Sequence, residues 1–361
     1  MIIHTLDDLT TLAHRLASQD AIALDTEFLR ERTYRAELCL IQVATREHAT
    51  CVDPLATGAL EPLLPVLGAS QQVKVLHAAR QDLEVLLPTT GLVGPVFDTQ
   101  VAAALAGYPP QVGYAELARR ILGVELAKAH TRTDWSRRPL SPEQIEYALD
   151  DVRHLLPLRA ELMAQLDQAG RLAWLVEELR PLADASQLTV NPEDAWRRLK
   201  GLTGLDPGRT ALARELAAWR EQRAIDRNRP RGWILADTVL REIVVRVPRS
   251  LPALRTVPEM PENVVRHSGA ELLAMIAASE IDTPPPPLPK RQRPDPVLAA
   301  AVKQLAAITN TAAAELNLAS EVLATRRDLE QVARGDEDAQ PLTGWRRAVI
   351  GSRLLAALGT D

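Results

Sequence analysis

Short β-type runs alternate with helical runs over roughly the first 160 positions, after which three-and-four spacing of apolar residues takes over almost entirely. IALDTEF, ELCLIQVA and ATCVD read as consecutive strands, followed by the strand KVLH, a helical AARQDLEVLL and the strand VFD. The connections RERTYRA and TREH are short enough for antiparallel hairpins, whereas helices separate the later strands as parallel crossovers require. The pattern predicts a mixed sheet with helices on its faces. Ser141-Pro142-Glu143-Gln144 then marks a helix start, with Ser as N-cap, Pro in the first turn and Gln placed to close a capping box. A long helix is expected from there past Asp151.

ALARELAAWREQRAI is typical of the helical half, and IDTPPPPLPKRQRPDP, with seven prolines, favours an extended spacer. The expected organisation is an α/β domain over 1–165, a helical connector over 166–189, an all-α domain over 190–280, a proline-rich linker over 281–296 and a second all-α domain over 297–361. Hydrophobic residues at 46% and charged residues at 25% exclude a disordered chain. The start lacks a basic-then-apolar leader and no uncharged apolar stretch of about 18 residues occurs, so neither export nor a membrane partner is expected. Cys39 and Cys51 have no metal-ligand spacing and read as buried reduced thiols, which fits a cytoplasmic location.

A net charge of −5 argues against a polyanionic partner until its distribution is considered. From Glu193 to Thr256 there are 14 Lys and Arg against 8 Asp and Glu, and Arg220, Arg223, Arg227, Arg229 and Arg231 are the densest part. Such a run is either a solvated helical face or a phosphate-binding patch. Trp233 beside it reads as a core residue.

The candidate chemistry is acidic. Asp25 and Glu27 in ALDTEF lie two apart on a strand and share a face, with Thr26 opposite. The apolar run before them is that of a strand covered on both sides, so carboxylates at its end require a partner, without which they repel and take up protons. His77 and Asp82 bracket the turn into a helix, with Asp82 in the first helical turn. Tyr147 and Asp151 are neighbours on one helix face at i and i+4, and a phenol beside a metal-bound carboxylate can hold an attacking water. Asp150 and Glu84 are nearby carboxylates rotated away from these positions.

In this order, D-T-E, H-x-x-x-x-D and Y-x-x-x-D resemble the DEDD exonuclease superfamily in its Tyr-containing branch; the His-containing branch has a histidine where this chain has Glu146. LDTEFLRERTYRAELCLIQVA, VLHAARQDLEVL, FDTQVAAALAGY and TDWSRRPLSPEQIEYALDDV carry the resemblance over residues 1 to about 160, and the whole chain is similar to the ribonuclease D family. AWRRLKGLTGLDPGRTALARELAAWREQRAIDRNRPRGWILADTVL resembles an HRDC module, and VLATRRDLEQVARG with PLTGWRRAVIGSRLL resembles a shorter, divergent one.

The resemblance implies a ribonuclease H-like α/β nuclease followed by two all-α HRDC-type domains. It implies Asp25, Glu27, Asp82 and Asp151 as ligands of two divalent cations, Mg²⁺ or Mn²⁺, with Tyr147 orienting the water. The expected activity is 3′-to-5′ removal of single nucleotides as 5′-phosphates from RNA with a free 3′ end, tRNA precursors among them, by a monomer. Phe28, Gln42 and His77 are candidate pocket residues, Lys128, Arg132 and Trp135 candidate guides for the strand, and the arginines from Arg220 to Arg231 a candidate RNA-holding face. A 3′-to-5′ DNA exonuclease and an inactive RNA-binding scaffold are the alternative readings. The absence of GxxxxGK[ST] excludes a P-loop helicase motif, and the intact carboxylate set weighs against the scaffold.

Overall fold

The computed structural model describes residues 1–126, 133–202, 205–279, 281 and 295–359. Six strands form one mixed sheet: β1 (Ile2–Ile3), β2 (Ala21–Leu29), β3 (Glu37–Ala44), β4 (Ala49–Val52), β5 (Val73–Leu76) and β6 (Val96–Asp98), in the order β1-β4-β3-β2-β5-β6. β3 pairs antiparallel with β4 across the TREH turn, while β2–β5 and β5–β6 are parallel. β1 escapes prediction because two residues are too few to show a period; it adds parallel to β4, Ile2 opposite Cys51.

Helix α1 (Leu6–Ala17) starts at a Thr5 cap and packs its leucines against one face of the sheet. α2 (Arg80–Thr90), α3 (Thr99–Ala106) and α4 (Tyr114–Leu122) follow the later strands. α5 (Pro142–Arg153) begins with the expected capping box, in which Gln144 N donates to Ser141 Oγ at 3.2 Å and Ser141 N to Gln144 Oε1 at 2.7 Å. α6 (Leu155–Gln168) buries Leu155, Leu158, Leu162 and Leu166, the three-and-four stripe its sequence encodes. α7 (Leu172–Leu179) follows it. Cys39 and Cys51 are buried free thiols.

The chain divides into two compact units, and the division is not the linear one that composition suggests. One unit holds residues 1–29, 38–188 and 293–361, so the terminal helices, expected as a separate domain, share a core with the nuclease sheet. α11 (Pro296–Glu315) and α12 (Arg326–Ala333) bury Val302, Leu305 and Leu329 in the same cluster as Leu158 and Leu162. By length and composition α11 is apolar enough to cross a membrane, and its buried stripe faces this core instead. The physical reason for the shared core is a large apolar surface on both partners, fastened by Arg171, whose guanidinium donates to Leu105 O at 2.8 Å and Leu316 O at 2.5 Å.

The second unit comprises 30–37 and 189–292. α8 (Pro207–Asp226), α9 (Asp237–Arg246) and α10 (Glu262–Ala278) bury Leu212, Leu216, Leu240, Ile243 and Leu272. Within it Tyr34 Oη donates to the buried Glu221 carboxylate at 2.5 Å, and Arg35 N to Asn228 Oδ1 at 3.0 Å. All but the ends of the proline-rich linker lie outside the described residues.

Candidate active site

β2 places Asp25 and Glu27 on one face at its C-terminal end, because strand side chains alternate. α5 brings Asp151 to them. Carboxylate oxygens of Asp25, Glu27 and Asp151 all lie within 4.8 Å of one another, near enough to share one cation. Tyr147, one turn before Asp151, is hydrogen-bonded to its carboxylate.

Asp82 approaches from the other side. The turn between β5 and α2 is held by Asp98, which accepts from Ala78 N at 3.0 Å and Ala79 N at 2.8 Å and so supports Ala78 at φ 56°. That turn sets Asp82 in the first turn of α2, where its Oδ1 accepts from Thr26 Oγ1 at 2.5 Å. Thr26 thus points away from the Asp25–Glu27 face, as the strand period requires, and orients the fourth carboxylate. Nothing in the sequence around Thr26 signals that role.

Electrostatics mark the four acids as under-compensated. Burial pushes Asp25 well above the usual carboxylate range, and the charges of Asp82, Asp151 and Glu27 push it further. Burial, then Asp151 and Asp82, raise Glu27 to about 8. Burial raises Asp82 and Asp151 to about 6, opposed by the hydrogen bonds from Thr26 and Tyr147 respectively. A divalent cation removes the conflict, and a donor set of oxygens alone suits hard ions rather than thiolate-seeking ones. The residues present therefore fit a divalent-metal site.

The decoys are tied elsewhere. Asp150 and Glu146 pair with Arg153, and Glu84 with Arg80. Tyr114 Oη donates to Asp150 O at 2.8 Å and accepts from His154 N at 3.2 Å, pinning the α5–α6 junction just after Asp151. No sequence signal marked Tyr114.

Of the candidate pocket residues, Phe28 is half-buried two positions from Thr26. Gln42 is fully buried and its amide has no hydrogen-bond partner among the described residues. His77 uses both ring nitrogens, Nδ1 toward Thr99 Oγ1 at 2.9 Å and Nε2 toward Val112 O at 3.0 Å, and burial lowers its pKa. Trp135, expected to guide the strand, is only 5% exposed and lies stacked on Tyr147, ring centroids 6.2 Å apart. Lys128 and Arg132 lie outside the described residues.

The arginine patch is thinner than its sequence. Arg220 is 2% exposed and donates to Leu235 O and Asp237, so it is structural. Arg223 pairs with Glu271, and Arg231 lies 3.6 Å from Glu221. Arg227 and Arg229 are exposed. Trp233 is not core: it is 57% exposed, with the Arg229 guanidinium 5.8 Å from its ring centroid. The same four-residue helix buries Ile234, so Trp233 lies on its outward side.

A mixed sheet with carboxylates gathered at the end of β2, completed by a Tyr–Asp pair on a crossing helix, defines a DEDD-type 3′-to-5′ exonuclease. The 3′-5′ exonuclease model matches residues 1–167 and the HRDC domain model residues 209–276. The chain is 41% identical to a ribonuclease D from Jannaschia sp., covering 99% of this chain and 95% of that one, and 38% identical to one from Nitrobacter hamburgensis, covering 98% and 94%. The crystal structure of Escherichia coli RNase D, an exoribonuclease involved in structured RNA processing, matches with a TM-score of 0.86 at 32% identity, over 99% of this chain and 98% of that one. The chain belongs to the ribonuclease D family of 3′-to-5′ exoribonucleases.

Proposed function

We propose that this exoribonuclease removes nucleotides one at a time from the free 3′ end of structured RNAs, tRNA precursors among them, using Asp25, Glu27, Asp82 and Asp151 as ligands for two divalent cations, Mg²⁺ or Mn²⁺. The observation that carries the reading is the convergence of Asp25, Glu27 and Asp151 within 4.8 Å, with Tyr147 bonded to Asp151. Two such cations supply, when bound, charge stabilisation for both the attacking and the leaving oxygen of an in-line displacement. The protein's own work is positional. β2 and α5 hold three carboxylates in place, and Thr26 holds the fourth. Burial, then the Asp151 charge, raise the Tyr147 phenol above its ordinary value, and its hydroxyl beside Asp151 is placed to orient a water by hydrogen bonding. Release of a 5′-phosphate follows from attack by water on the phosphorus with departure of the upstream 3′-oxygen.

RNA affinity, in this reading, draws on Arg227, Arg229 and Trp233 rather than on all five arginines, since an exposed aromatic ring stacks on any base and arginines offset phosphate charge. The test follows the product ladder of 5′-labelled RNA and DNA of one sequence, with free or blocked 3′ ends, in Mg²⁺, Mn²⁺ or EDTA. Single-nucleotide shortening of free-ended RNA that EDTA abolishes is expected. A ladder from DNA alone, or from a blocked end, overturns the reading.

A further inference from the structure

Arg138 uses every N–H of its guanidinium. Nε donates to Asp53 Oδ2 at 2.5 Å and Nη2 to Asp53 Oδ1 at 2.7 Å, a two-pronged grip on one carboxylate. Nη2 also donates to Cys39 O at 2.8 Å, and Nη1 to Trp135 O at 2.7 Å and Arg137 O at 2.8 Å. Cys39 belongs to β3, and Asp53 directly follows β4, so one side chain joins two strands to the segment that precedes α5. Asp53 is fully buried. Burial alone would raise its pKa, and the Arg138 bonds and charge, together with the backbone N–H groups of Ala56 and Leu55, hold it below the ordinary carboxylate value. Its Oδ1 also caps the short helix after it, through Leu55 N at 3.1 Å and Ala56 N at 3.3 Å, and His4 Nδ1 lies 3.6 Å from Oδ2.

The end of this chain of bonds is the Tyr147 ring. Trp135, whose carbonyl Arg138 holds, stacks on Tyr147 at 6.2 Å with an interplanar angle of 28°. Both belong to a small core with Cys39, Cys51, Leu140 and Leu149, apart from the larger cores on the sheet. A buried indole laid along a phenol removes its sideways freedom.

We propose that Arg138 and Asp53 are positioning residues for hydrolysis: their ion pair holds Trp135 against Tyr147 and thereby fixes the phenol beside Asp151. This rests on the role given above to Tyr147. Neither residue of the pair is a catalytic group. Lysine cannot substitute for the arginine, because a point-charge ammonium has three donors and no fork. Displacement of a reacting group by about 1 Å costs on the order of a hundredfold in rate, which is enough to detect.

The experiment is a double-mutant cycle under single-turnover conditions with enzyme in excess, using wild type, Arg138→Lys, Tyr147→Phe and the double variant, with thermal unfolding of each. Arg138→Lys is expected to lower the hydrolysis rate by about ten- to a hundredfold with RNA affinity unchanged, and to cost nothing further once the phenol is gone. Losses that multiply overturn the proposal, because a general weakening of the fold does not depend on Tyr147. Full activity of Tyr147→Phe instead sinks the role of the phenol itself, so the two failures are distinguishable. A readout independent of rate comes from 3-fluorotyrosine, since the chain has four tyrosines and Tyr147→Phe identifies one ¹⁹F resonance by its loss. That resonance is expected to shift or broaden in Arg138→Lys while the Tyr34 and Tyr108 resonances stay in place, and an unmoved Tyr147 resonance overturns the proposal. Should Arg138→Lys fail to fold, Trp135→Leu removes the stack with the ion pair intact, and the same two outcomes decide.

Discussion

Thr26 Oγ1 donates to Asp82 Oδ1 across 2.5 Å, tying the far face of the strand that carries Asp25 and Glu27 to the helix that carries the fourth acid. Groups that hold a ligand in place commonly contribute ten- to a hundredfold in metal affinity. Thr26→Val keeps the shape and removes the donor, so the Mg²⁺ concentration for half-maximal activity is expected to rise by about tenfold or more, with the maximal rate recovered in excess metal. Metal titration of exonuclease activity checks it; an unchanged midpoint would deny Thr26 its orienting role.

The two adjacent acids on α5 separate by partner. Asp151 faces the carboxylate cluster and bonds Tyr147, whereas Asp150 pairs with Arg153 at the partly exposed edge. Asp151→Asn is therefore expected to lower turnover by about a hundred- to a thousandfold, as loss of a group that stabilises developing charge does, without lowering the melting temperature. Asp150→Asn breaks only a semi-exposed ion pair, worth about 0–1 kcal/mol, and should leave activity within a few-fold.

Protons and cations compete for the same oxygens. Glu27 has a folded pKa of about 8 against an ordinary 4.5, and Asp82 and Asp151 about 6 against 3.8. Between those values the metal-free folded protein holds protons that the unfolded chain has released. Its stability therefore falls as pH rises from about 4 to 8. Cations bind the deprotonated form and reverse the loss. The increase in melting temperature on adding Mg²⁺ should be larger at pH 8 than at pH 5.5, with EDTA controls; equal increases would mean that these carboxylates do not hold the ion.

The arginines of the helical unit should divide by partner rather than by charge. Arg229→Ala or Trp233→Ala is expected to weaken binding of single-stranded RNA, the first also lowering the slope of log affinity against log salt by about 1, with folding intact. Arg220→Ala orphans the buried Leu235 carbonyl and is expected to cost about 1–3 kcal/mol of stability, read by denaturant unfolding. Equal losses of RNA affinity in all three variants, without unfolding, would restore the uniform patch.

The period-two spacing of Asp25 and Glu27, the i, i+4 spacing of Tyr147 and Asp151, and the Ser141–Gln144 cap are all local, and each was legible before the fold was known. What escaped depends on contacts between distant segments. Asp53 and Arg138 are 85 positions apart, and Thr26 and Asp82 are 56 apart; no pattern within a helix or strand announces either pair. The arginine patch misled for the same reason, since Asp237 and Glu271, which claim Arg220 and Arg223, lie on other helices. Trp233 looked like core because its size is that of a core residue, and only the fold shows that Ile234 beside it takes the buried side of their short helix.

The terminal helices should unfold with the nuclease sheet. Trp174 and Trp345 stack at 4.2 Å with 11° between their planes, and Trp345 Nε1 and the Arg346 guanidinium both donate to Glu178. Gly107, at φ 102°, ends α3 where a Cβ would meet Asn317 O at 2.7 Å, a backbone atom that cannot turn aside. Trp345→Ala removes a large buried ring and is expected to cost about 3–5 kcal/mol. Gly107→Ala adds a positive-φ penalty of about 1–2 kcal/mol to the enforced separation. In both variants amide hydrogen exchange should accelerate together in α6, α7, α11 and α12, because these helices share one core. Acceleration confined to α11 and α12 would show instead that the terminal helices fold as an independent module.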